Sequence, residues 1–64
     1  MKRAKLLRHL RQQGMVFLRE GGRHSIWMNP DTRHTEAVPR HTEIGPRLVR
    51  VICKNLDIDP PAEK

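Results

Sequence analysis

Glycines and prolines interrupt this chain so often that no regular element can run much beyond about a dozen residues, because glycine admits φ > 0 and proline fixes φ and removes a donor. Gly14, the pair Gly21-Gly22, Pro30, Pro39 and the step Gly45-Pro46 leave only short segments between them. Each segment has a readable pattern. Lys2 to Gln13 reads as a helix, with Leu6, Leu7 and Leu10 on one apolar stripe and Lys5, Arg8 and Arg11 around the rest. Gly14 is placed to end it. Met15-Val16-Phe17-Leu18 is short, apolar and bounded by glycines, which predicts a strand. His24 to Met28 predicts a second strand, antiparallel to the first. Asn29-Pro30-Asp31-Thr32 is a turn, and Thr35 to Val38 a third strand closed by Pro39. Gly45 fits an N-cap and Pro46 the first helical position of a second helix. Ile44 can pack on Val49 as a hydrophobic staple, and Ile44, Leu48, Val51, Ile52 and Leu56 recur at helical spacing.

The order α-β-β-β-α admits few solutions. Neither helix can leave its stripe in water, and three short strands need a cover on one face. The expected fold is therefore α+β, with two helices packed on one face of a three-stranded antiparallel sheet. A single domain is expected over residues 1–58, with 59–64 a flexible tail that has nothing to bury.

At 64 residues the core is thin, and a chain of this size buries only about 60% of its unfolded surface. There is no room for a cofactor-binding fold or a deep cavity, so any active site is shallow and no cofactor is expected. Lys and Arg total 13 against 7 Asp and Glu, a net charge of +6. That balance favours polyanions, either nucleic acid or an acidic protein. The basic surface belongs to the N-terminal part: Lys2, Arg3, Lys5, Arg8, Arg11, Arg19 and Arg23 precede His24 against Glu20 alone. Cys53 is the only cysteine, so no internal disulfide can form and a reducing compartment is expected. No apolar run approaches transmembrane length, and the cytoplasm is the expected location.

The stretch carrying chemistry is Arg19-Glu20-Gly21-Gly22-Arg23-His24. A glycine pair lets the backbone turn tightly and lets a large ligand approach. Imidazole trades a proton near neutral pH, and Arg19 and Arg23 add fixed charge beside it. From spacing alone, the plainer reading is that His24 starts a strand after a turn. Arg40 and His41 lie just before a helix N-terminus, where N–H groups favour phosphate; a solvated loop is the competing reading. Lys5 and its neighbours on the first helix could track phosphates or simply face water. Trp27 is better read as a buried anchor than as a base-stacking platform. His24, His34, His41 and Cys53 match no usual ligand spacing, and no metal site is expected.

Gly14-Met15-Val16-Phe17-Leu18-Arg19, Gly21-Gly22-Arg23-His24-Ser25-Ile26-Trp27 and Val38-Pro39-Arg40-His41-Thr42-Glu43-Ile44 together resemble the HicA toxins of type II toxin–antitoxin systems. The resemblance runs from about Met1 to Ile58. It implies a fold like the double-stranded RNA-binding domain, and a ribosome-independent, metal-independent endoribonuclease that cleaves mRNA. It places the family's catalytic histidine on His24, and implies restraint by a HicB-like antitoxin in a toxin–antitoxin hetero-oligomer, away from any membrane. Many members carry serine or aspartate where this chain has Arg23. Lys5, Arg19, Arg23, Arg40 and His41 are the candidate phosphate contacts. Two other readings compete: a non-catalytic double-stranded RNA-binding module, and a degenerate toxin held by its antitoxin.

Overall fold

The structure, a computed structural model, describes residues 1–62. Its elements are α1 (Arg3–Gln12), β1 (Val16–Gly21), β2 (His24–Met28), β3 (Thr35–Pro39) and α2 (Pro46–Asn55). The strands form one antiparallel sheet in the order β1-β2-β3. Both helices cover the same face of it, as expected.

Local chemistry explains the boundaries. Lys2 precedes α1 without a side-chain cap; the first helical donor, Arg3 N–H, is satisfied instead by the Thr42 carbonyl at 2.8 Å. The helix ends at Gly14, whose φ of +86° is costly for any residue with a Cβ. The Gly14 N–H reaches the Arg11 carbonyl and the Met15 N–H the Leu10 carbonyl, a Schellman closure whose apolar partners, Leu10 and Met15, are both buried. Gly22 and Arg23 alone span the β1–β2 hairpin, with Gly21 paired to His24. Gly22, at φ +40°, takes the positive-φ position that a two-residue turn requires.

The core comprises Leu6 and Leu10 of α1, Met15, Trp27, Val38, Ile44, and Val49, Ile52, Cys53 and Leu56. The staple is present, since Ile44 and Val49 are both buried. The expected apolar stripe of α2 is only partly the buried one. Leu48 and Val51 are 39% and 42% exposed, whereas Val49, Ile52 and Cys53 face inward. The sheet lies under the side of the helix that carries Val49 and Cys53, which rotates Leu48 and Val51 outward. Met15 is buried ahead of β1, whereas Val16, which pairs with Met28 on the uncovered face, and Phe17 and Leu18 beside it are exposed. Trp27 is a buried anchor at 2% exposure. The Phe17 and Trp27 rings form a T-shaped pair with centroids 5.9 Å apart, and the Arg11 guanidinium lies 5.3 Å from the indole centroid; the indole N–H has no partner among the described residues.

Asn29 ties the far ends of the fold together. Its amide donates to the Leu56 carbonyl at 2.7 Å, and its side-chain oxygen accepts from Asp31 N–H at 2.9 Å. One residue thus caps the end of α2 and shapes the β2–β3 turn. Asn29→Ala leaves a buried carbonyl unpaired and should lower stability by about 1–3 kcal/mol, read as a lower urea midpoint with an unchanged slope.

The region expected to be a tail is described as far as Ala62; Glu63 and Lys64 lie outside the described residues. His9 Nε2 donates to the Asp59 carbonyl at 2.8 Å. Pro60 and Pro61 line a shallow cavity with Met1, Pro46, Val49 and Arg50. Among the described residues, no helix is long and apolar enough to cross a membrane.

Candidate active site

Strand alternation decides which side chains can meet. Ser25 and Trp27 are buried toward the helices, so His24, Ile26 and Met28 belong to the opposite, uncovered face. His24 opens β2 directly after the Gly22–Arg23 turn. Its cross-strand neighbours are Gly21 on β1 and Pro39 on β3. It is exposed, and its ring has no hydrogen-bond partner among the described residues. The imidazole is free to engage something from solvent.

The backbone that carries it is held from behind. On the helix-facing side, the Arg3 guanidinium donates to the Pro39 carbonyl at 2.8 Å and to Ser25 Oγ at 2.9 Å. Ser25 Oγ donates in turn to the Glu20 carboxylate, at 3.1 Å and 3.2 Å to its two oxygens. Glu20 also pairs with the Arg40 guanidinium. This network links the start of α1 to all three strands at the end of the sheet that bears His24. Sequence reasoning did not single out Arg3, Glu20 or Ser25 for this role. The one available signal was the inward register of Ser25, a polar residue that needs partners when buried.

The candidate phosphate contacts are distributed unevenly. Arg19 lies on the uncovered face: a Cβ built on Gly21 would stand 3.0 Å from Arg19 Nη1 and 3.9 Å from the His24 carbonyl. Arg23 is exposed in the turn beside His24. Arg40 is committed to Glu20 on the helix-facing margin of the sheet, and His41 is exposed just beyond it. Lys5 lines a separate polar cleft with Arg8, His9, Gln12, Pro61 and Ala62 on the helical layer. The fold thus gathers Arg19 and Arg23 around His24, leaves Arg40 and His41 at the margin, and sets Lys5 apart. Among the described residues, no three His, Cys, Asp or Glu side chains converge closely enough to hold a metal ion.

Two carboxyls are held below the ordinary glutamate value by their cationic neighbours. Desolvation raises Glu20, but hydrogen bonds from Arg40 and Ser25 and the charges of Arg40 and Arg3 outweigh it and hold the carboxyl below the ordinary glutamate value. Glu43 is lowered chiefly by its hydrogen bond from Lys2, at 2.8 Å, with the N-terminal ammonium adding to the effect. Burial alone pushes the Cys53 thiol up. A carboxyl whose folded pKa is depressed stabilises the fold at pH above its unfolded value, and that contribution is lost as the pH falls through the folded value. Thermal melts should therefore show the midpoint dropping with acidification below the ordinary glutamate range. Glu20→Gln with Glu43→Gln should flatten the dependence; an equally steep curve in the double variant would place the acid sensitivity elsewhere.

A family described as the HicA toxin of bacterial toxin–antitoxin matches over residues 3–58. No curated protein and no solved structure matches the chain.

Proposed function

The chain belongs to the HicA family of bacterial toxin–antitoxin toxins, and from that premise we propose a ribosome-independent, metal-independent endoribonuclease that cleaves mRNA with His24 as general acid or base. One observation carries this reading. His24 projects from the uncovered sheet face with its ring unengaged, beside the guanidinium of Arg19.

Cleaving RNA without a metal takes three events. The 2′-oxygen loses its proton and attacks phosphorus, charge develops on the non-bridging oxygens, and the 5′-oxygen leaves as a proton reaches it. The products are a 2′,3′-cyclic phosphate and a 5′-hydroxyl. An imidazole serves either proton transfer, a contribution of about 10²–10⁴-fold, while a guanidinium holds the non-bridging oxygens in a bidentate fork. Arg19 and Arg23, on the hairpin that carries His24, are the side chains we assign to that second task; Arg40, paired with Glu20, and Lys5, on the helical layer, lie away from it. The uncovered face suits a long, unstructured substrate, since it needs no cavity.

A nuclease acting in its own cytoplasm needs restraint. The expected partner is a HicB-like antitoxin in a hetero-oligomer, and an acidic one would complement the +6 charge and speed encounter. Expression without it should arrest growth with loss of mRNA, and the fragments should carry cyclic phosphate ends. The basic cleft of Lys5, Arg8 and His9 on α1 favours a second reading, a double-stranded RNA-binding module without catalysis. Under that reading RNA is retained at full length.

A further inference from the structure

Gly21 is not required by the turn beside it. The positive φ of the hairpin is carried by Gly22, while Gly21 has ordinary strand geometry. Its missing side chain has a different consequence. The space that a Cβ would fill lies 3.0 Å from Arg19 Nη1 and 3.8 Å from Ile26, so the Arg19 guanidinium rests across the bare backbone of Gly21. Gly21 and His24 are directly paired across the hairpin, which sets their Cβ positions about 5 Å apart on the same face. Arg19 Nη1 therefore lies within about 8 Å of the His24 Cβ, a gap that two charge-assisted bonds to one phosphate, each about 2.8 Å long, can span.

A second device puts Arg19 on that face at all. The register of β1 against β2 runs Phe17 to Trp27 and then Arg19 to Ile26, which leaves Leu18 as a bulge. In an unbroken strand, Leu18 would oppose Ile26 and Arg19 would oppose Ser25, toward the helices. One extra residue exchanges the faces. It turns Arg19 out beside His24 and turns Glu20 in toward Ser25 and Arg40.

We infer that Arg19 is the phosphate clamp of this site and that Gly21 is its positioning residue, with the Leu18 bulge and the absent Gly21 side chain together placing the guanidinium beside His24. This rests on the proposed RNase reading and deepens it by choosing one arginine. Arg40 is already bound by Glu20, and Lys5 lies on the helical layer.

The test is a double-mutant cycle on the full chain, with cleavage of a single-stranded RNA oligonucleotide as readout and His24→Ala as the reference for the reading itself. Arg19→Ala should lower kcat about 10²-fold, the scale of one lost transition-state donor. Gly21→Ala needs only the flexible end of Arg19 to give way, so its melting temperature should stay near that of the parent while kcat falls about tenfold and KM changes little. Added to Arg19→Ala, Gly21→Ala should cost less than twofold more. Full, multiplicative effects in the double variant would overturn the inference, because Gly21 would then act independently of Arg19. So would an Arg19→Ala variant of normal kcat in a protein that His24→Ala inactivates. Normal cleavage by folded His24→Ala would instead remove the RNase reading at His24 and the inference with it.

Discussion

His24→Ala should abolish growth arrest while leaving the fold intact. The two halves of that expectation come from the same geometry. An exposed side chain at a strand start, with no hydrogen bond among the described residues, contributes little to stability, and its truncation should cost no more than about 0.5 kcal/mol. Removing a proton-transfer group from a site with no second histidine within the hairpin should lower the cleavage rate by about 10²–10⁴-fold. The measurement is paired: melting temperature and RNA cleavage on the purified chain, with growth and mRNA integrity in cells lacking the antitoxin. RNA binding should survive, because Arg19, Arg23 and the α1 cleft are untouched. A folded His24→Ala protein that still cuts RNA and still arrests growth would remove His24 from the chemistry. One that arrests growth without cutting would favour the binding module.

Much of this arrangement could be read in the sequence, and the parts that could not share a physical character. Gly14, Gly22, Gly45 and Pro46 act through their own backbones, so the ends of α1, the hairpin and the start of α2 were legible from a few neighbouring residues. The start of β2 at His24 was legible for a similar reason, because the glycine pair before it marks the turn. Long-range pairings were not. Nothing local indicates that Asn29 will reach the Leu56 carbonyl, or that Arg3 will meet Ser25 and the Pro39 carbonyl. Arg40 looked available beside His41, yet Glu20 lies within reach only once β1 and β3 flank β2. The face of Arg19 depends on a bulge at Leu18, and an apolar strand residue carries no mark that it will be the one left unpaired.

The clearest test of the core comes from two adjacent residues of α2 that composition treats alike. Ile52→Ala should unfold a large share of the protein, while Val51→Ala should scarcely disturb it. Ile52 is fully buried and Val51 is 42% exposed. Truncating a buried isoleucine costs about 2–5 kcal/mol, since the transfer term is joined by the cavity left behind. A domain of this length has only about 3–10 kcal/mol in total, at ~0.05–0.15 kcal/mol per residue. The site is therefore not insulated from the core: a variant that populates the unfolded chain loses the hairpin that carries His24. Val51 faces water on the expected stripe but off the buried one, and alanine has the higher helix propensity, so its loss should stay within about 0.5 kcal/mol. Chemical denaturation of the two variants measures both values. Equal destabilisation would mean that α2 packs through Leu48 and Val51, with the helix rotated from the face assigned to Val49, Ile52 and Cys53. Cleavage by Val51→Ala at the parent rate, beside loss of activity in Ile52→Ala that follows the unfolded fraction, would tie function to this packing.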